Sequence, residues 1–184
     1  MITARTFRAI YRLLDRVSPL DTDCGKLCGA ACCTSAYEHG EEMGIFLLPG
    51  EEQLHSPQDD WLDWSEESAE ELGFPESWTD PVCFVHCKTP PVCPREKRPL
   101  QCRTFPLAPH LDAEGTLTLV YNDMDLPYRC PLIEEQMPLN DDFVQATQTV
   151  WAHLIRDPRI YDMVREDSIE RETAILELGK MLGF

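Results

Sequence analysis

The chain has 184 residues, and its 16 Lys and Arg against 33 Asp and Glu give a net charge of −17, which sets the surface against phosphate backbones and anionic membranes. At 43% hydrophobic residues it carries enough apolar matter for one domain with a real core, which excludes general disorder despite the charge. Nine cysteines in such a chain call for a chemical explanation.

The first twenty residues interleave Arg5, Arg8, Arg12 and Arg16 with apolar residues and contain no uninterrupted apolar run of the signal-peptide kind. No stretch approaches the roughly 18 apolar residues of a membrane span. The expectation is a cytoplasmic protein with neither nucleic acid nor membrane as partner. Thiols stay reduced in that compartment. An odd cysteine count that includes the vicinal Cys32 and Cys33 therefore fits metal binding or redox chemistry better than a disulfide framework.

Phe7, Ile10, Tyr11, Leu14 and Val17 recur at helical spacing, with Arg8, Arg12 and Arg16 on another face, which predicts an amphipathic helix over 3–17 that ends before Pro19. A cysteine-rich loop follows over 24–33, where Gly25 and Gly29 argue against a continuous helix. Between Leu27 and Cys87 there are fourteen acids and no Lys or Arg, a composition expected of a solvated face. Its 51–80 part is a candidate dock for a basic protein. Within this block Ile45–Leu48 reads as a strand closed by Pro49 and Gly50. Residues 60–72 read as an acidic helix that turns Trp61, Leu62, Trp64 and Leu72 inward.

Residues 81–109 hold seven prolines, which rules out a long helix and suggests an irregular, ligand-held segment. The stretches 104–111 and 116–121 flank the turn Asp112–Gly115 and predict a hairpin. Asn140, Asp141 and Asp142 mark a helix start, with Phe143, Ala146, Thr147, Val150, Trp151 and Leu154 at helical spacing as far as Asp157 and Pro158. Two more helices are expected near 159–166 and 168–182. The fold class that results is α+β: a small, irregular, metal-stabilised domain spanning 1–184, with a β-hairpin, a cysteine-cluster region at 24–131 and a C-terminal helical section at 138–184.

Thiolates are soft ligands, and all-sulfur coordination selects zinc or an iron–sulfur cluster. Zinc ribbons usually pair two CxxC knuckles, and this chain has none; its Cx3C opening and scattered later cysteines lean towards iron–sulfur. The motifs of serine hydrolases, zinc proteases, nucleotide triphosphatases and dinucleotide-binding enzymes are all missing. His86, between Cys83 and Cys87, is a candidate non-cysteine ligand, although a core or solvent-facing histidine is the plainer reading.

The segment from Cys93 through Arg98, Pro99, Cys102 and Arg103 to Phe105 and Pro106 resembles the C-x5-RPxxCRxFP signature of the YkgJ-type cysteine-cluster family, also described as zinc- or iron-chelating domain proteins. The run Cys24, Cys28, Cys32, Cys33 resembles that family's other half, so the resemblance spans roughly residues 24–131. The resemblance implies eight metal-binding cysteines: Cys24, Cys28, Cys32, Cys33, Cys83, Cys93, Cys102 and Cys130, with Cys87 as the surplus thiol or as a replacement for Cys83. The family includes flagellin lysine N-methylases, in which an iron–sulfur cluster is implicated, so redox or methyl-transfer-like chemistry with a 4Fe-4S cluster is the function expected. A non-catalytic zinc-binding interaction module is the alternative, and a thiol redox sensor using Cys32 and Cys33 or Cys87 a third. Arg98 and Arg103 flank Cys102 and are candidates for hydrogen bonding to the cluster sulfurs. Neither substrate nor oligomeric state is readable.

Overall fold

The computed structural model describes residues 2–36, 43–123 and 126–183. Helix α1 spans Ala4–Leu14, where the Thr3 hydroxyl accepts from the Thr6 N–H and caps the start. It buries Phe7, Ile10, Tyr11 and Leu14, the face its periodicity predicts, and closes a turn earlier than the expected 3–17. Two single-turn helices follow, α2 (Gly25–Cys28) and α3 (Ala31–Thr34). Between them Gly29 and Ala30 take left-handed φ values of 65° and 59°, and this reversal interrupts what would otherwise be one helix.

A three-stranded antiparallel sheet is formed by β1 (Gly44–Phe46), β2 (Leu62–Glu67) and β3 (Val82–Cys87) in the order β1-β3-β2. Strand β2 overturns the acidic helix expected over 60–72. Leu62 and Trp64 alternate with Asp63 and Ser65, a period of two that suits pairing with β3 from Leu62 opposite Cys87 to Glu67 opposite Val82. Leu72, expected inward, is exposed. Strand β3 likewise puts regular structure into the proline-dense segment. Its run of Val82, Phe84 and Val85 is β-prone, and the prolines at 81 and 90 lie outside it, where no ladder bond is lost.

After Pro99 comes the short helix α4 (Leu100–Thr104), followed by the expected hairpin of β4 (Leu107–Leu111) and β5 (Leu117–Tyr121). Asp112 Oδ1 accepts from the N–H groups of Glu114 and Thr116 and fixes the turn. The chain then forms α5 (Pro131–Glu134), α6 (Asp141–Leu154) and α7 (Pro158–Leu182). α6 buries all six residues that its spacing singles out. The two last helices expected are one, because Ser168, read as a boundary, folds its hydroxyl back onto the Val164 carbonyl at 2.6 Å and accepts from the Leu111 N–H at 2.9 Å. That hydroxyl stitches α7 to the hairpin.

The main core joins α1, α6 and α7 through Phe7, Leu14, Val150, Leu154, Ile160 and Val164. A second cluster of Leu47, Trp61, Leu62 and Val85 packs on the small sheet, and Cys83, Cys87 and Cys93 lie against it. The architecture is α+β. No helix among the described residues is long and apolar enough to cross a membrane.

Gly50 has φ 96°, and a Cβ built there would come within 2.5 Å of the Ile2 carbonyl oxygen, whereas Gly73 at φ 72° opens onto empty space. Gly73→Ala should therefore cost about 1–2 kcal/mol, the left-handed penalty alone. Gly50→Ala should cost more, because backbone must also move. Urea unfolding of the two variants checks this, and equal losses would contradict it.

Candidate metal centre

The short helix that carries Cys102 is tied to α1 by a buried carboxyl. Glu51 is fully buried in the turn after β1, although the acidic block in which it falls reads as a solvated face. Its Oε1 accepts from the Tyr11 hydroxyl at 2.5 Å and from the Leu100 N–H at 2.7 Å, and its Oε2 accepts from the Leu48 N–H at 3.0 Å. Burial pushes this carboxyl up, and the three donors oppose that. One side chain thus ties α1 and the turn to the first residue of α4, two positions before Cys102.

Tyr11 Oη also lies 3.1 Å from His55 Nε2. Because the Tyr11 proton goes to Glu51, His55 must donate from Nε2, which leaves its buried Nδ1 without a partner among the described residues. Burial, outweighing the nearby Asp59 carboxylate, lowers His55 to about 4 and keeps it neutral. Neither Glu51 nor His55 stands out in the sequence by spacing; the one cue is the turn of Pro49 and Gly50 before two acids.

Arg103 packs its guanidinium 4.0 Å from the centroid of the Tyr11 ring. It donates to Asp15 at 2.5 Å, to the Arg95 carbonyl at 3.0 Å and to the Arg98 carbonyl. The pairing of Arg103 with the cluster sulfurs expected from the sequence is therefore corrected: its donors are committed to α1 and to the backbone before α4. One residue's step on a helix turns a side chain by about 100°, which separates Arg103 from Cys102. Arg98 is the arginine that reaches sulfur, with Nη2 3.4 Å from Cys93 Sγ.

Beside Arg98 the thiols of Cys33, Cys87 and Cys93 lie within electrostatic reach of Cys102. Cys102 is pushed up by burial first and then by Cys33, Cys87 and Cys93, with Arg98 opposing. Cys87 is pushed up by burial, Cys93 and Cys33. A second set lies alongside: Cys24 feels Cys130 and Cys28 besides burial and Asp23, and Cys130 feels Cys28. The vicinal pair joins the two sets. Cys32 and Cys33 have their sulfurs 3.9 Å apart. The S–H of Cys32 and the charge of Arg98 favour the Cys33 thiolate against burial, while Cys32 is held up and also senses Cys24 and Cys102. Tyr128 borders both sets. Its hydroxyl is raised by burial and by Cys32, Cys130, Cys102 and Cys33.

Cys83 joins neither set. Its thiol is raised to about 11 by burial and by the carboxylates of Glu52 and Glu66. Cys83 and Cys87 lie four residues apart on strand β3, where roughly 3.3 Å per residue separates them by about 13 Å. They cannot serve one centre, and the strand carries Cys87, not Cys83, to Cys93, Cys33 and Cys102. Cys87, which the resemblance leaves as surplus or as a replacement for Cys83, thus lies beside Cys93, Cys33 and Cys102, and Cys83 lies apart from them. Alternation along the same strand puts His86 on the opposite face, where its ring meets Phe84 with centroids 4.8 Å apart. His86 thus takes its plainer reading, a packed histidine. The remaining expected ligands, Cys24, Cys28, Cys32, Cys33, Cys93, Cys102 and Cys130, fall in one or other set. Among the described residues no group of three or more His, Cys, Asp or Glu side chains is placed to hold a metal ion as it stands.

His55 gives a test of the carboxyl-centred network. With its imidazole at about 4 in the folded chain and about 6.5 when unfolded, the unfolded chain takes up a proton between those values and the folded chain does not. The stability tied to neutral His55 is complete above pH ~6.5 and is lost as the pH falls towards 4. His55→Gln should therefore flatten the fall of unfolding free energy over that window by about 1.4 kcal/mol per pH unit, measured by denaturant titration at several pH values. A slope unchanged from the parent protein would refute the assignment. Comparison of the chain with protein-family models, with curated proteins and with solved structures returns no match.

Proposed function

We propose that this chain is a cytoplasmic iron–sulfur protein in which two neighbouring four-cysteine sets, Cys33, Cys87, Cys93, Cys102 and Cys24, Cys28, Cys32, Cys130, hold 4Fe-4S clusters for redox or methyl-transfer-like chemistry. The reading rests on one observation above others: Cys33, Cys87 and Cys93 lie within electrostatic reach of Cys102 beside Arg98, Cys28 and Cys130 lie near Cys24, and Cys32 senses members of both groups.

Four thiolates are the number that a four-iron cluster takes. Zinc in a closed site needs sulfurs about 3.8 Å apart, from a Zn–S bond of ~2.3 Å in a tetrahedron. The ligands of a four-iron cluster bind separate irons and stand wider apart than that, so Cys32 and Cys33, with sulfurs 3.9 Å apart, would serve different clusters. The resemblance of the two cysteine motifs to the YkgJ-type family supports the same choice, and its methylase members supply the methyl-transfer part.

The donor set fits the group on chemical grounds as well. Burial raises Cys24, Cys87, Cys102 and Cys130, so these thiols are neutral in the metal-free chain and would release their protons on binding iron, whose positive charge would then offset the thiolates. When bound, a cluster would supply one-electron transfer or a coordination point at iron. The protein's own part is to place the ligands through α4, β3 and the Gly29–Ala30 reversal, and to set the charge around sulfur. Arg98 donates to Cys93 Sγ, and hydrogen bonds of this kind raise the potential of a cluster.

Protein purified without oxygen should contain about eight irons per chain with matching acid-labile sulfide and a visible absorption that bleaches on reduction. A colourless protein with stoichiometric zinc would overturn this reading in favour of a structural binding module. The ligand sets make a sharper prediction. Cys87→Ser and Cys102→Ser should each lose about half of the iron, while Cys83→Ser keeps all of it. Loss of iron from Cys83→Ser with none from Cys87→Ser would refute the sets assigned.

A further inference from the structure

Helix α7 runs on past the body of the protein. Its first half buries Ile160, Met163, Val164 and Ser168. The last tie to the body is Glu172, whose Oε1 lies 3.4 Å from His110 Nε2 on β4. Beyond it, among the described residues, the helix makes no hydrogen bond or ion pair outside itself, and a Cβ built on Gly179 meets nothing within 4 Å. Residues 173–182, about 15 Å of helix, project in this way.

The overhang has the pattern of a helix with a partner. Ile175, Leu178, Met181 and Leu182 are 56–85% exposed, too many large apolar side chains on one short stretch to be scattered surface. They continue the face that α7 buries in the core. Val164, Ser168, Arg171, Ile175, Leu178 and Leu182 follow one another at alternating steps of four and three, the seam by which two helices pack. At about 100° per residue, Ala174 and Met181 widen this seam to roughly 120°, while Glu170, Glu172, Glu177 and Lys180 fall outside it. Ile169 and Leu176, also exposed, lie on the opposite side of the helix and do not belong to it.

The seam over the overhang holds no acid, so nothing in it selects a basic partner, and a net charge of −17 sets the chain against an anionic lipid surface. A second copy fits when its helix runs antiparallel. Ile175 then meets Leu178 of the second copy, Leu178 meets its Ile175, and Arg171 meets its Leu182, whereas a parallel pair would set Arg171 against Arg171. Charge favours the same arrangement. Two bodies of −17 repel each other, but an antiparallel overlap of residues 171–182 leaves them at opposite ends about 18 Å apart, some two Debye lengths at physiological ionic strength. We propose that α7 pairs with α7 of a second copy across a two-fold axis, antiparallel over residues 171–182, to form a homodimer. So short an overlap is at the small end of specific interfaces, which sets Kd at about 1–100 μM. The contact involves none of the thiols and stands whether the metal is iron or zinc.

Sedimentation equilibrium of the full chain between about 1 and 500 μM should show a monomer–dimer equilibrium in that range of Kd. Ile175→Ser combined with Leu178→Ser, with helix content verified by circular dichroism, should weaken the dimer at least about tenfold, and Leu176→Ser on the opposite side should leave it unchanged. Both seam positions are exposed, so the fold does not rest on them. The direction of the helices is read from two single variants, Ile175→Glu and Leu178→Lys, each monomeric by itself where the parent chain dimerises. Mixed, they should form a heterodimer, because antiparallel pairing sets the introduced carboxylate against the introduced ammonium and keeps the other layer apolar. A parallel pair offers no such match. A chain that stays monomeric up to about 500 μM would overturn the proposal and leave the seam to a different protein or a lipid surface. So would a dimer that the two serines leave intact, or charged variants that fail to associate on mixing.

Discussion

Glu51 accepts hydrogen bonds from three places that the sequence holds far apart: Tyr11 in the first helix, Leu48 in its own turn, and Leu100 at the start of the helix that carries Cys102. A fully buried carboxyl is expensive unless its oxygens are satisfied, and here one of its donors opens the helix that carries Cys102. The same Tyr11 ring receives Arg103, whose other donors fasten Asp15 and the backbone at Arg95 and Arg98. The chain around Cys93 and Cys102 is therefore set by a polar network, and the thiols inherit their places from it. Arg98, released from that bracing role by Arg103, is left to face sulfur.

This division explains how an acidic protein can gather thiols. With a net charge of −17, added thiolates are repelled by the molecule as a whole, and burial opposes them further. Arg98 offers local compensation on one side. On the other, Cys32 shares its proton with Cys33, so that a single negative charge serves the vicinal pair. Burial keeps the other thiols of the cluster neutral. Cys83, which like Cys87 and Cys93 packs against the second apolar cluster, keeps its proton through burial and the carboxylates of Glu52 and Glu66.

A cavity of about 290 Å³ and the thiol sets are built on two faces of the same short helix. Gln101, Thr104 and Phe105 look to the cavity, and Cys102 looks to the other cysteines. The Gln101 side chain also holds the Phe46 carbonyl of β1 at 3.0 Å, which fixes one cavity wall to the sheet. A change in either site has a short mechanical route to the other through α4, since this one-turn helix is anchored at its start by Glu51 and closed by the Thr104 hydroxyl on the Leu100 carbonyl.

The parts of the structure that depend on local pattern were legible in the residues alone. The α+β class, helix α1, the hairpin around Asp112–Gly115, helix α6 and the gathering of cysteines over 24–130 all follow from periodicity, turn chemistry and thiol density. Where the sequence misled, two patterns competed. Trp61, Leu62 and Trp64 fit a helical face and an alternating strand equally well over so short a run, and only the presence of β3 as a partner decided for the strand. Cys83 and Cys87 share a spacing that joins them on a helix and parts them on a strand, so the identity of the ligand waited on the same pairing. Arg98 and Arg103 look equivalent beside Cys102, yet a helical step turns one of them towards Tyr11. Glu51 was hidden among fourteen acids because burial is a property of the assembled chain, and composition carries no trace of which acid will be taken inside.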